Sequence, residues 1–264
     1  MSPKYLYAFW SKIEDGLKKT SKIFLMLDYD GTITPIAKKP DLALLDSKTK
    51  EILKKIISKK ERFRVAIVSG RSIKRLKQLI GLRGLYYVGV HGLEIKGPNL
   101  SFIHKDATKT KPLLVEVYKD LVKKLSKVEG VLVENKGLTV AIHYRLASKE
   151  SIPFIARKVL EAKSNAGLKL LKGKKVFELA PPINWGKGNA TLILLERFGF
   201  KFTPVYFGDN KTDEDAFKAL KNMGLTVVVG KKRSSTAEYY VKNIDEVLRF
   251  LQKLLFSNAF RKPF

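Results

Sequence analysis

The chain has 264 residues, 45% of them hydrophobic and 29% charged, enough to bury a substantial core as one large domain or two unequal ones. Lysine and arginine exceed aspartate and glutamate by 27, which raises nucleic acid, anionic membranes and anionic small molecules as partners. Cysteine is absent, which excludes disulfides, thiolate catalysis and cysteine metal sites. No apolar stretch approaches the length of a membrane span, and the first ten residues lack a signal peptide's apolar centre, so a cytoplasmic location is expected. The basic residues form short, scattered groups, among them Lys54-Lys55, Lys123-Lys124 and Lys231-Lys232-Arg233. No nucleic-acid recognition motif accompanies them, so a solvated lysine-rich surface of the kind hyperthermophile proteins carry accounts for the charge. Nucleic acid and membrane are set aside as partners; the residues do not decide the oligomeric state, and a monomer is the default.

Leu6, Phe9, Trp10, Ile13 and Leu17 recur at helical spacing and predict an opening helix. Residues 23–27 then form an apolar run suited to a strand buried on both faces, ending in Asp28-Tyr29-Asp30-Gly31-Thr32. A helix over 47–60 follows, capped by Asp46 or Ser47, then a strand over 64–68 that ends in Ser69-Gly70-Arg71. The next helix carries Ile73, Leu76, Leu79 and Ile80 on one face and stops at Gly81; a third strand over 85–90 leads into His91-Gly92-Leu93-Glu94. This alternation implies parallel strands joined by right-handed crossovers.

The middle of the chain reads differently, as αββαββ, with helices over 112–128 and 149–166 and strands over 131–136, 138–145, 168–171 and 174–178. Along 138–145, Leu138, Val140, Ile142 and Tyr144 alternate with Thr139, Ala141, His143 and Arg145; the second set faces away from the helices, with Glu134 and Lys136 on the same side. That face reads as a substrate-reading surface or as an ordinary wet sheet face. The parallel pattern resumes after Pro181-Pro182, with a helix opening at Lys187 and running through 195, and a strand over 203–207 ending in Gly208-Asp209. A helix to 223, a strand over 225–229 and a helix over 245–256 close the chain. The expected fold is therefore α/β, a doubly wound parallel Rossmann-like sheet with an inserted α+β cap domain. The core is assigned to 1–106 and 180–264, and the cap to 107–179.

Ligands of open α/β sheets sit beyond the carboxyl ends of the strands, where Asp28, Asp30, Ser69, Asp209 and Asp213 fall, with Lys187 at a helix start. Several carboxylates make a hard-oxygen pocket suited to Mg²⁺. Thr32, Ser69, nearby N–H groups and Lys187 supply what a phosphate dianion needs. A carboxylate beside metal and phosphoryl group is a competent nucleophile, and a second one two residues on can serve as acid and then base.

These motifs, in this order, resemble the haloacid-dehalogenase superfamily of phosphohydrolases, and the insertion looks like the cap of its sugar-phosphatase branch. The resemblance extends to the trehalose-6-phosphate phosphatase family over about residues 25–217. It is carried by Leu27-Asp28-Tyr29-Asp30-Gly31-Thr32, Ser69-Gly70-Arg71, His91-Gly92-x-Glu94, Glu134-x-Lys136 with His143-Tyr144-Arg145, Glu178-x-x-Pro181 before Lys187-Gly188, and Gly208-Asp209-x-x-Thr212-Asp213-Glu214-Asp215. It implies Asp28 as nucleophile and Asp30 as general acid/base. Thr32, Ser69, Gly70 and Lys187 would bind phosphate, and Asp28, Asp30 (through its carbonyl) and Asp209 would ligate Mg²⁺ with Asp213 in support. Arg71, His91, Gly92, Glu134, Lys136, His143, Arg145 and Glu178 would grip the sugar, with the cap closing over it. Asn210 stands where the family usually has aspartate, and Ala216 where it often has methionine. Other sugar phosphates (sucrose 6-phosphate, a glycosyl-glycerate phosphate, a hexose phosphate) fit the same chemistry.

Overall fold

The computed structural model describes residues 2–37, 42–230 and 234–256, so Lys231-Lys232-Arg233 lies outside the described residues. The chain divides into two compact units, one from Met1–Phe102 and Trp185–Phe264, the other from Ile103–Asn184. The boundary falls four residues before the expected start of the insertion and five after its expected end.

The first unit is organised on β2 (Ile23–Asp28), a strand with no exposed residue. Its side chains alternate strictly. Ile23, Leu25 and Leu27 join the apolar layer with Leu53, Ile56, Leu76, Phe250 and Leu254, whereas Phe24 and Met26 join Ala190, Leu194, Phe217 and Leu220 on the opposite face. Burying each large side chain contributes about 1.5–3 kcal/mol, so a one-residue slip of this strand would forfeit both layers. On one side of β2 run β3 (Phe63–Val68) and β4 (Tyr86–Gly89), and on the other β11 (Thr203–Gly208), β12 (Leu225–Val229), β13 (Tyr239–Val241) and β1 (Lys4–Tyr5), all paired in parallel. An antiparallel β5 (Glu94–Gly97) and then β6 (Leu100–Ile103) extend the far edge. The helices α2 (Ser47–Ser58), α3 (Ile73–Ile80) and α9 (Ile244–Phe256) cover one face, and α7 (Lys187–Arg197) and α8 (Asp213–Ala219) the other. The doubly wound parallel sheet with an inserted α+β unit is the fold expected from the sequence.

Local signals act as their chemistry requires. Asp46 is the cap of α2, accepting the Thr49 amide at 2.9 Å, and Gly81 ends α3 at φ +61° with its own amide on Lys77. The chain start departs from the expected single helix. β1 is followed by a short 3-10 turn, Leu6–Phe9, and only then by α1 (Trp10–Lys19), because Lys4 and Tyr5 pair with Tyr239 and Tyr240. Helix α8 also stops earlier than expected, in a turn with Asn222 at φ +64°.

The second unit runs α4 (Lys105–Lys109), α5 (Lys111–Leu125), β7 (Leu132–Asn135), β8 (Val140–His143), α6 (Ile152–Asn165), β9 (Lys169–Gly173) and β10 (Val176–Ala180). The strands form one antiparallel sheet in the order β7-β8-β10-β9. Val140, Ile142, Phe177 and Leu179 pack with Leu114, Leu121, Ile155 and Val159 of the helices. Among the described residues, no helix is long and apolar enough to cross a membrane.

Candidate active site

The carboxyl ends of β2, β3 and β11 lie side by side, since Asp28 is in register with Val68 and Leu27 with Phe207. Asp28, the last residue of β2, is 2% exposed and Lys187, the first residue of α7, 1%. The Lys187 ammonium donates to Asp28 Oδ1 at 2.6 Å and to Asp213 Oδ1 at 2.8 Å. Burial lowers the lysine's pKa, but the Asp213 and Asp28 carboxylates outweigh it, and the ammonium is held charged. Burial is also the largest influence on Asp28 and pushes its carboxyl well above the usual range; Lys187 opposes that, and Asp213 and Asp209 add to it.

Asp213 is saturated. Its Oδ1 accepts from Lys187 and from the buried Tyr206 hydroxyl at 2.8 Å, and its Oδ2 accepts the amides of Asp209 at 3.1 Å and Asn210 at 3.0 Å. Two bonds at each oxygen use a carboxylate's ordinary acceptor capacity, so Asp213 shapes the site from behind. Tyr206 was invisible to sequence reasoning because a tyrosine in an apolar strand reads as core. Burial and Asp213 raise its pKa far enough that it remains a donor.

One oxygen from each of Asp28, Asp209 and Asp213 lies within 4.8 Å of the others, and among the described residues this cluster is the candidate to hold a metal, with Asp28 and Asp209 offering the oxygens and the saturated Asp213 behind them. Three carboxylates face one ammonium there, and the donors are all hard oxygens, which fits a divalent cation such as those bound by carboxylates and water. Gly31, at φ +87°, makes room, since a Cβ there would overlap the Asp209 carboxylate. Asn210 spans the next turn: its amide donates to Asp209 Oδ1 at 3.0 Å, and its oxygen accepts the Thr212 amide and hydroxyl. An aspartate at 210 would lack that donation.

Thr32 is fully buried, its hydroxyl 3.3 Å from Asp28 Oδ2. Ser69, also buried, accepts the Arg71 amide at 3.2 Å. Gly70 lies under the His91 ring, where a side chain would collide, and Gly92, at φ +101°, abuts the Gly186 carbonyl. His91 and Val90 both hold positive φ, braced by bonds from their amides to the carbonyls of Ser69 and Arg71. Arg71, read from sequence as a sugar contact, forms a two-pronged pair with Asp30, 2.7 Å at each prong, with its guanidinium over the Tyr29 ring. The fork fixes the plane of the Asp30 carboxylate. Glu94 and Glu214, both within quoted motifs, are struts: Glu94 accepts the Ile73 amide at 2.7 Å, and Glu214 ties Ser235 and Thr236.

In the second unit, Glu134, Ala141 and Glu178 are in register across β7, β8 and β10. Glu178 accepts from Lys136 at 2.9 Å and from Thr139 at 2.6 Å, and His143 pairs with Glu134 at 2.8 Å. Burial pushes the Glu134 carboxyl up, but the His143 bond and the Lys136 charge outweigh it and hold it below the usual value. Arg145 donates to the Lys174 carbonyl at the hairpin end at 3.0 Å.

The family profile for trehalose-phosphatases matches residues 26–245. A probable trehalose-phosphate phosphatase J from Arabidopsis thaliana is 37% identical over 96% of this chain and 72% of its own. A solved trehalose-6-phosphate phosphatase related protein superposes with a TM-score of 0.80 at 26% identity, over 90% of this chain and all of that one. The C-terminal domain of the Candida albicans trehalose-6-phosphate phosphatase, 22% identical, shares the fold with a TM-score of 0.81 over 97% and 98% of the two chains. The buried carboxylates at the strand ends thus sit in a chain that belongs to the trehalose-phosphatase family and is a phosphoric monoester hydrolase.

Proposed function

We propose that the protein is a Mg²⁺-dependent phosphatase that hydrolyses trehalose 6-phosphate through an aspartyl-phosphate on Asp28, releasing trehalose as the last step of its biosynthesis. The observation that carries this reading is Asp28 itself: a buried carboxylate, in a chain of this family, aligned by an ammonium that it shares with a second, saturated carboxylate. In the first half-reaction an Asp28 oxygen attacks phosphorus, the bond to the sugar oxygen breaks, and Asp30 delivers its proton to the departing alkoxide. In the second, Asp30 removes a proton from water, the water oxygen attacks phosphorus, and Asp28 leaves with the electrons of its bond. Arg71 holds the ionised Asp30 carboxylate in plane for the transfer from water. Lys187, the Thr32 hydroxyl and the Ser69 hydroxyl hydrogen, with the Gly70 amide, take up the phosphoryl oxygens. Held by Asp28, the Asp30 carbonyl and Asp209, Mg²⁺ would offset the charge of the incoming dianion.

In this reading the first unit is the catalytic core and the second the cap. Glu134, Lys136, His143, Arg145 and Glu178 of the second unit recognise sugar hydroxyls, and His91 and Gly92 of the first are further sugar-binding residues in this reading. Phosphate release from a panel of sugar phosphates, with a chelator and Asp28→Asn as controls, tests it. Preference for trehalose 6-phosphate, lost in both controls, is expected. Preference for another sugar phosphate overturns the substrate, and release from none overturns the reaction.

A further inference from the structure

The third acidic residue of the run after Asn210, Asp215, is outside the carboxylate cluster yet touches the start of α7. Its Oδ2 accepts the Gly188 amide at 2.7 Å. Gly188 is the second residue of α7, where an amide has no partner within the helix, and a carboxylate satisfies both that donor and the positive end of the helix. The two helix starts are also in direct contact. A Cβ on Gly186 would fall on the Asp215 carboxylate, and one on Gly188 would fall on the Asp215 carbonyl. Between these glycines sits Lys187, whose ammonium is taken by Asp213, two residues before Asp215. The first turn of α8 therefore grips Lys187 by its ammonium and its neighbour by the main chain.

We infer that Asp215 is a positioning residue, setting the first turn of α7 against α8 so that the Lys187 ammonium falls on Asp28. Lysine carries its charge on a flexible four-carbon stem, so the placement of the ammonium depends on where the stem begins. The inference rests on the phosphatase reading above for its effect on turnover, but not for its effect on Lys187.

The test compares Asp215→Ala, Asp215→Asn and Gly186→Ala. Gly186 has extended backbone (φ −162°) that alanine can adopt, so Gly186→Ala displaces the Asp215 carboxylate without removing it. Asp215→Ala and Gly186→Ala are expected to lower kcat by about 30- to 100-fold with KM changed less than about threefold, the size of loss that a misplacement near 1 Å produces. Asp215→Asn, whose amide oxygen still accepts from Gly188, is expected to recover most of kcat. Independently of turnover, mass spectrometry should show Lys187 labelled faster by an amine reagent in the two alanine variants. Unchanged kcat and labelling in both alanine variants, with only a lower melting temperature, would reduce Asp215 to a structural support. An Asp215→Asn variant as impaired as Asp215→Ala would also overturn the inference. Should Asp215→Ala not fold, the other two variants carry the comparison. If the wild type releases no phosphate, the functional reading fails while the labelling still decides the positioning.

Discussion

Each of the two units builds a polar cluster around a buried lysine, and the clusters differ in charge balance. In the first, Lys187 meets Asp28 and Asp213 with Asp209 close by, three carboxylates to one ammonium. In the second, Lys136 and Glu178 pair with side chains 7% and 6% exposed, and His143 pairs with Glu134, so each acid has a basic partner. A buried excess of carboxylate is relieved by a cation, which suits the metal chemistry proposed for the core. A balanced array of donors and acceptors has no such need and suits the uncharged hydroxyls of a sugar. Under the proposed function, the same residue types would serve phosphoryl transfer in one unit and recognition of neutral hydroxyls in the other.

The sharpest way to break this contrast is Asp28→Asn, expected to lower phosphate release by about 10,000-fold, equivalent to about 5 kcal/mol of transition-state stabilisation. Appreciable residual turnover of a sugar phosphate would remove Asp28 from the centre of the chemistry. In the other unit, Glu178→Ala removes the acceptor of Lys136 and Thr139 while Glu134 remains near the lysine, and should destabilise the protein by about 1–3 kcal/mol in urea denaturation. A Lys136→Met, Glu178→Leu, Thr139→Val triple variant, which removes all three polar partners together, should regain that stability. It should still lose trehalose 6-phosphate specificity while hydrolysing small aryl phosphates; unchanged specificity would show that the polar face reads no sugar.

Metal dependence also separates the clusters. Mg²⁺ at a hundred times its dissociation constant should stabilise the wild type by about 2.7 kcal/mol, seen as a raised melting temperature. Asp209→Asn should abolish that rise, whereas Glu134→Gln should leave it intact. The smallest expected effect is a pH dependence from Glu134. Its carboxyl is held below 4.5 in the folded protein, so its stabilising contribution is complete above that value and is lost as pH falls through the folded pKa. Urea midpoints of Glu134→Gln should fall less steeply below about pH 4.5 than those of the wild type.

Much of this was legible before any coordinates. Residues 225–229 and the five-residue apolar run before Asp28 read correctly as strands because strands buried on both faces carry an unbroken apolar signature. Asp46 and Gly81 announced a helix start and stop by capping chemistry that is local. The outer strands β1, β13, β5 and β6 were missed, since each is only two to four residues long, too short to show a period, and β1 exists through a distant partner, as Tyr5 does through Tyr240. Spacing also could not assign work within the acidic run: Asp213 braces Lys187, Glu214 ties the segment at 235–236, and Asp215 caps α7.

By itself, the sequence determined the α/β class, the insertion and the order of the carboxylate, hydroxyl and lysine motifs, because hydrophobic period and strand-end placement are written in neighbouring residues. Tertiary structure alone decided which groups meet: that Arg71 seizes Asp30, that Asp28 and Asp213 share Lys187, and that Asp215 reaches Gly188. Those pairings join residues brought together by sheet register and helix packing, and a hydrogen bond formed over a few ångströms leaves no periodic trace along the chain.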